Sequence, residues 1–276
     1  MNLEYPIKMY WKKELRCSYL VIGWNDDVAN LGRRVTGYLV EKLEAEMFAE
    51  IEPEQFFPLG GVSIQNDLAQ FPESKFYVCP KYALIIFQSD SPRAEWFKFL
   101  DSILSIARSC AVTEAYTIGG MVSFTAHTTP RELFAVVNSP QTKNELSKYN
   151  VVRDLDYQTP AGERPSLSSY FLWLAGRKKV AAASLWVPVP FYLVAVEDSQ
   201  AQRKVLSFLD EKIQLGINFS DLDREIRQQN EKLAQVRSHF PQIDEYIRRL
   251  ESNLMLSEEE NGRLIKQIAD FLGERS

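Results

Sequence analysis

The chain carries only two histidines and three cysteines among its 276 residues, and these scarcities narrow what it can do. His127 and His239 fall in different segments, so a histidine-rich metal cluster has no material. A carboxylate-held Mg2+ is the one metal chemistry the residues leave open, and neither a metal nor a cofactor is expected. Cys17, Cys79 and Cys110 are odd in number, widely spaced and free of any Cys-x-x-Cys. They read as reduced, buried thiols of a reducing compartment. No apolar run exceeds the length of a strand, so no membrane span is expected. Met1 to Tyr10 holds Glu4 and Lys8 and no apolar run, unlike a signal peptide. A cytoplasmic protein follows from these absences. Net charge is −5 with no basic patch, which argues against nucleic acid as a partner. No Gly-x-Ser-x-Gly elbow, no Gly-x-x-x-x-Gly-Lys-Ser/Thr and no Gly-x-Gly-x-x-Gly occurs, so nucleophile-elbow hydrolysis and phosphate cradling lack their usual carriers.

What is present is an ordinary globular composition, 45% hydrophobic and 25% charged, with length enough to bury a core without disulfides. Ser18 to Gly23, Met47 to Ile51, Tyr82 to Phe87, Glu114 to Ile118 and Val180 to Val187 read as strands, the last stopped by Pro188 and Pro190. Their unalternating apolar runs suit a sheet covered on both faces. Residues between Gly60 and Cys79 suit short hairpin strands, with Gly60-Gly61 and Asn66-Asp67 as turns. Helical patterns follow Asp26-Asp27 and run over Ala94 to Cys110, Ser139 to Tyr149, Ser168 to Lys179 and from Asp198 to Ile213. Arg131 to Val137 fits either a strand or a helical turn. Strands and helices thus alternate, and the expected fold class is α/β.

After Gly216 the pattern becomes all-helical. Leu222, Ile226, Gln229, Leu233, Val236, Phe240, Ile243, Ile247, Leu250 and Leu254 recur as a heptad seam. Ser220 to Asp223 and Ser257 to Glu260 resemble capping boxes. Pro241 either kinks one helix or opens another. The expected organisation is residues 1–216 as the α/β domain and 217–276 as a helical arm. The arm packs either on its own domain or as a clasp between subunits, with Phe191, Tyr192, Leu222, Ile226, Leu233 and Val236 as interface candidates.

One stretch concentrates candidate chemistry. Tyr116 to Pro130 runs as a strand that stops at Gly119-Gly120, followed by a polar loop with His127. In an open α/β sheet, ligands gather at the carboxyl ends of the strands. Gly23, Asp26, Asp90, Gly119, Gly120 and His127 are therefore the candidate pocket, with Asp26, Asp90 and His127 as an acid/base group if they converge. The plainer alternative is local: Asp26 caps a helix, Asp90 starts a turn, and the glycines meet backbone demands. The aromatics Trp24, Phe56, Phe57, Trp186, Phe191 and Tyr192 suit either an interface or the core.

In order and spacing, several segments together resemble the proteasome assembly chaperone 2 family. They are Gly23-Trp24-Asn25-Asp26, Gly37-Tyr38-Leu39, the Ile118-Gly119-Gly120 segment with His127 and Pro130, Ser184 to Leu193, and Leu215-Gly216 with Asp221-Leu222. The resemblance spans roughly Tyr19 to Arg237. It implies a three-layer α/β/α sandwich of phosphorylase/hydrolase-like type and a homo-oligomer, a trimer by the same likeness. Some relatives are labelled ATP-grasp-like, but the cradling loop, lysines and paired carboxylates of that chemistry cannot be placed here. Many relatives carry histidine where Phe191 stands, so a histidine mechanism there is unsupported. The final Gly273-Glu274-Arg275-Ser276 is no hydrophobic-Tyr-x tail, so proteasome docking by that mode is unsupported too. The expected function is a non-enzymatic binding or assembly factor with a protein partner. The alternative is a small-molecule hydrolase or transferase with its site at the strand ends.

Overall fold

The structure is a computed structural model that describes residues 6–11, 14–57, 63–65, 67–156, 158–159 and 161–273. The turn residues Gly60, Gly61 and Asn66, with Pro58, Val62 and the last three residues, lie outside the described set.

Eight strands form one mixed sheet. In chain order these are β1 (Ile7–Met9), β2 (Tyr19–Trp24), β3 (Glu46–Ile51), β6 (Ser74–Cys79), β7 (Leu84–Ser89), β8 (Glu114–Ser123), β9 (Phe134–Val137) and β10 (Ala181–Pro190); a separate ribbon pairs β4 (Ser63–Gln65) with β5 (Leu68–Gln70). The sheet order is β1-β3-β6-β7-β2-β8-β10-β9. The middle strands β7, β2, β8 and β10 are mutually parallel, and the flanking pairs are antiparallel. The carboxyl ends of four parallel strands therefore share one edge of the sheet.

Side chains of the central strands divide between two cores. Along β2, Val21 belongs to one and Leu20 and Ile22 to the other, as the two-residue period of a strand requires. The first core takes α1 (Leu31–Lys42) and α5 (Ser199–Ile213); the second takes α2 (Trp96–Ser109) and α4 (Leu167–Arg177). Helix α2 turns Phe99, Leu100, Ile103, Leu104 and Ala107 inward. Each large apolar side chain buried this way contributes about 1.5–3 kcal/mol. The short α3 (Pro140–Leu146) begins where Ser139 Oγ accepts the Thr142 N–H, with proline in the first turn.

Two strands run further than their sequence punctuation indicates. β10 continues through Pro188 and Pro190, still paired to β8 at Met121 and Ser123. On its other side β9 ends at the Phe134–Trp186 pair. Both prolines, two residues apart, thus fall where the missing N–H has no neighbouring strand to serve. β8 likewise continues through Gly119-Gly120 to Ser123, so the glycine pair sits inside a strand and not in the loop after it.

After Gly216 the chain forms α6 (Ser220–His239), α7 (Pro241–Glu251) and α8 (Glu258–Gly273). Pro241 opens a new helix at its first turn, where its missing N–H costs nothing. Ser257 and Glu260 make the expected reciprocal cap. The Ser220 to Asp223 box does not form. Phe219 is the N-cap and offers no side-chain acceptor, and Asp221 instead receives Tyr38 Oη and Lys42 Nζ from α1.

Candidate functional site

Helix α1 is drawn tightly onto the end of β2. A Cβ on Gly23 would lie 2.2 Å from the Gly32 carbonyl oxygen, and one on Gly120 would lie 2.6 Å from the Val28 carbonyl oxygen. A Cβ on Gly119 would lie 3.0 Å from the Trp186 ring. These glycines admit backbone and an indole, so their missing side chains are already filled by the protein itself. Asp27 holds the junction together. One carboxylate oxygen accepts the Gly32 N–H at 3.0 Å, and the other accepts the Gly120 N–H at 3.1 Å. Burial is the strongest influence on this carboxyl, pushing its pKa up to about 7 against the pull of the two backbone donors. Ala29 and Asn30, between strand and helix, take left-handed φ of 58° and 50°, strained for non-glycine residues. Sequence reasoning placed Asp27 at a helix start but could not tell it from Asp26, because the Gly120 contact is ninety-three positions away.

His127 lies in the loop after β8 and is only 5% exposed. The Tyr192 hydroxyl accepts the His127 backbone N–H at 2.6 Å and meets the ring Nδ1 at 2.9 Å. With the phenol proton directed to Nδ1, the ring proton is assigned to Nε2. Burial first, then Arg237 and Arg131, holds the imidazole pKa down to about 4. Arg131 binds Asp198 at 2.8 Å, with both side chains buried, and donates to the Thr129 carbonyl at 2.6 Å. Asp198 also caps α5 through the Gln200 and Ala201 N–H groups. Thr128 donates to Glu251 of α7, which Arg237 of α6 also binds. The loop is thus fastened to the N-cap of α5 and to α7, whose Glu251 is in turn held by α6. Arg131 and Asp198 were not paired from sequence, since sixty-seven residues separate them.

Asp26 and Asp90 come together elsewhere on this edge, in a cavity of about 380 Å3 that His127 does not line. Asp26 accepts from the Ser91 N–H and Oγ. Asp90 accepts from the Glu73 N–H and from Asn25. Arg33, Lys75 and Arg93 also line the cavity. The expected convergence of Asp26, Asp90 and His127 on one point is therefore absent, and the two aspartates are committed to loop backbone.

The interface candidates are placed inward. Phe191, Tyr192, Leu222, Leu233 and Val236 are buried in the first core, and Ile226 packs against it half-buried. Helix α8 covers Phe191–Leu193. Most of the seam is covered within the chain, because α6 packs on both α5 and α7, while Leu254 at its end is exposed. Trp24 and Phe56 are core residues as well. Among the described residues no group of three or more His, Cys, Asp or Glu is placed to hold a metal ion, and no helix is long and apolar enough to cross a membrane.

The fold has known counterparts. A sequence model described as the PAC2 family matches residues 20–237, while no curated protein matches the sequence. A proteasome-assembly chaperone homologue from Mycobacterium tuberculosis superposes with a TM-score of 0.69 at 16% identity, over 83% of this chain and 99% of that one. PbaB from Pyrococcus furiosus, an archaeal proteasome activator, gives 0.68 at 20% identity, over 83% of this chain and 97% of its own. A Mycobacterium tuberculosis protein of unknown function gives 0.77 at 16% identity, over 92% and 90%. At such identities the structural likeness is one of fold.

Proposed function

The chain belongs to the PAC2 family, and on that premise we propose that it is a non-enzymatic factor that binds another protein and assists its assembly. One observation carries the reading. The polar groups at the strand ends are consumed by internal contacts, as at Asp27, Asp90 and His127, whereas the exposed side of the same edge presents apolar side chains on the β4–β5 ribbon. A surface of that kind suits a macromolecular partner. The chaperone homologue and the proteasome activator of like fold support assembly of a multi-subunit complex as the class of task. On this reading the sheet with its two helical faces is the three-layer α/β/α sandwich of phosphorylase/hydrolase type. Residues 1–216 form its body and 217–276 an arm closed over it. The protein acts in the cytoplasm and as a homo-oligomer, with three subunits implied by the family likeness. Light scattering tests that number.

The direct test is affinity capture from the native host with mass readout. The reading expects one protein recovered in fixed ratio to the bait. Absence of any such partner, together with turnover of a small molecule by the purified chain, would overturn it.

A further inference from the structure

The β4–β5 ribbon carries bare apolar side chains. Ile64, Leu68 and Phe71 are 76%, 65% and 63% exposed, and every described residue of β5 is exposed. Among the described residues the two strands pair only with each other, which leaves their outer backbone edges without a strand partner there. A lone two-stranded ribbon is marginal in water, and an open apolar edge invites another strand. The ribbon runs directly into the cavity on the sheet edge, which Gln70 and Phe71 help to line.

The charges of that cavity are unevenly committed. Glu73 binds Lys75 at 2.6 Å, and Asp26 and Asp90 are held by loop donors. Arg33 and Arg93 are exposed and join no ion pair among the described residues. An open strand edge, bare apolar side chains and two unpaired guanidinium groups therefore adjoin one another. The cavity lies beside the carboxyl ends of β2 and β7, on the edge where α/β sheets bind ligands.

We propose that this is a peptide-docking cleft for an extended acidic–apolar segment of the partner protein. The segment adds along the open ribbon edge, sets a large apolar side chain on Ile64 and Phe71, and places a carboxylate on Arg33 and Arg93. Strand addition supplies main-chain hydrogen bonds, and the flanking side chains choose the sequence. A singly charged carboxylate fits better than a dianion because Asp26, Glu73 and Asp90 share the cavity, and guanidinium forks match its two oxygens. The inference rests on the reading of the chain as a protein-binding factor.

Selection of short random peptides displayed on phage against the full chain tests it. Enriched peptides are expected to carry Asp or Glu beside a large apolar residue. Anisotropy titration of a labelled enriched peptide is expected to weaken about tenfold or more in the double variant Arg33→Glu/Arg93→Glu, and likewise in Phe71→Ser, as truncating central contacts does. Thermal midpoints should stay unchanged, since these side chains are exposed. No enrichment over the bare support, enrichment of basic peptides, or binding indifferent to the variants would overturn the cleft. A fall in solution mass of Phe71→Ser would also overturn it, by assigning the ribbon to a second copy of this chain. If the cleft fails while wild type and double variant capture the same host protein, the binding function stands and only its location falls. If neither captures one, the function falls with it.

Discussion

The two ends of the same sheet edge differ in how their polar groups are used. Beyond β8 and β10, His127, Arg131, Asp198 and Tyr192 form a buried network, sealed from outside by α7 and α8. Beyond β2 and β7, the edge opens into a charged cavity whose arginines face solvent and whose neighbouring ribbon is bare. A histidine just after a glycine pair at a strand end looks like chemistry in a sequence. Here its loop is fastened to Tyr192 and to the start of α5. The less conspicuous end is the one left with unused valences.

This contrast predicts where substitutions hurt. Removing residues 217–276 uncovers Phe191–Leu193 and the α5 face, which the arm buries within the first core. The expected outcome is loss of monodisperse protein, read by size exclusion, and a truncated chain that stays folded with the same number of subunits would show the arm to be dispensable. Next in size is Arg131→Met. It leaves Asp198 buried without its cation, a change that costs about 3–5 kcal/mol. At roughly 2–4 °C per kcal/mol for a domain this size, the melting midpoint should fall by about 10 °C, whereas a shift within a degree or two would contradict the part given to Arg131 in holding the loop.

A pH series separates Asp27 from the rest. Its folded pKa lies near 7, above the unfolded value near 4. The protonated form is thus favoured in the folded state, and its contribution is full below about pH 4 and disappears as pH rises through 7. Wild type should therefore lose midpoint relative to Asp27→Asn between pH 5 and about 8, and parallel profiles would remove Asp27 from the account. His127 works with opposite sign, because a depressed imidazole pKa adds stability that is lost as pH falls from about 6.5 through 4. The smallest effect belongs to the open end. Ile64→Thr should change stability by no more than about 0.5 kcal/mol, and a larger loss in denaturant titration would mean that the ribbon packs on its own chain.

Much of this was legible in the residues. The unbroken apolar run at Ser18 to Gly23 and the helix through Phe99, Ile103 and Leu104 stand where their patterns place them, and the strand expected from Tyr82 begins two residues later, at Leu84. The Ser257–Glu260 cap and the Asp198 cap are local and were readable for that reason. The illegible parts depend on neighbours. Pro188 and Pro190 do not stop β10 because β9 has already ended beside them, and Gly119-Gly120 stays in strand because Trp186 and Val28 occupy its missing side chains. Which aspartate matters, Asp26 or Asp27, was decided by an amide ninety-three residues distant. The seam after Gly216 was visible, but only the packed fold shows that the chain's own core covers most of it. Arg33 and Arg93 carried no signal, since an unpaired surface arginine has no motif.

Hydrogen exchange of the full chain, alone and with the protein it captures from its host, tests the central claim most directly. The account predicts slowed amide exchange in residues 67–75 and unchanged exchange in residues 124–131, which the arm already protects. Slowing confined to 124–131 and the arm, with the ribbon indifferent to the partner, would contradict it.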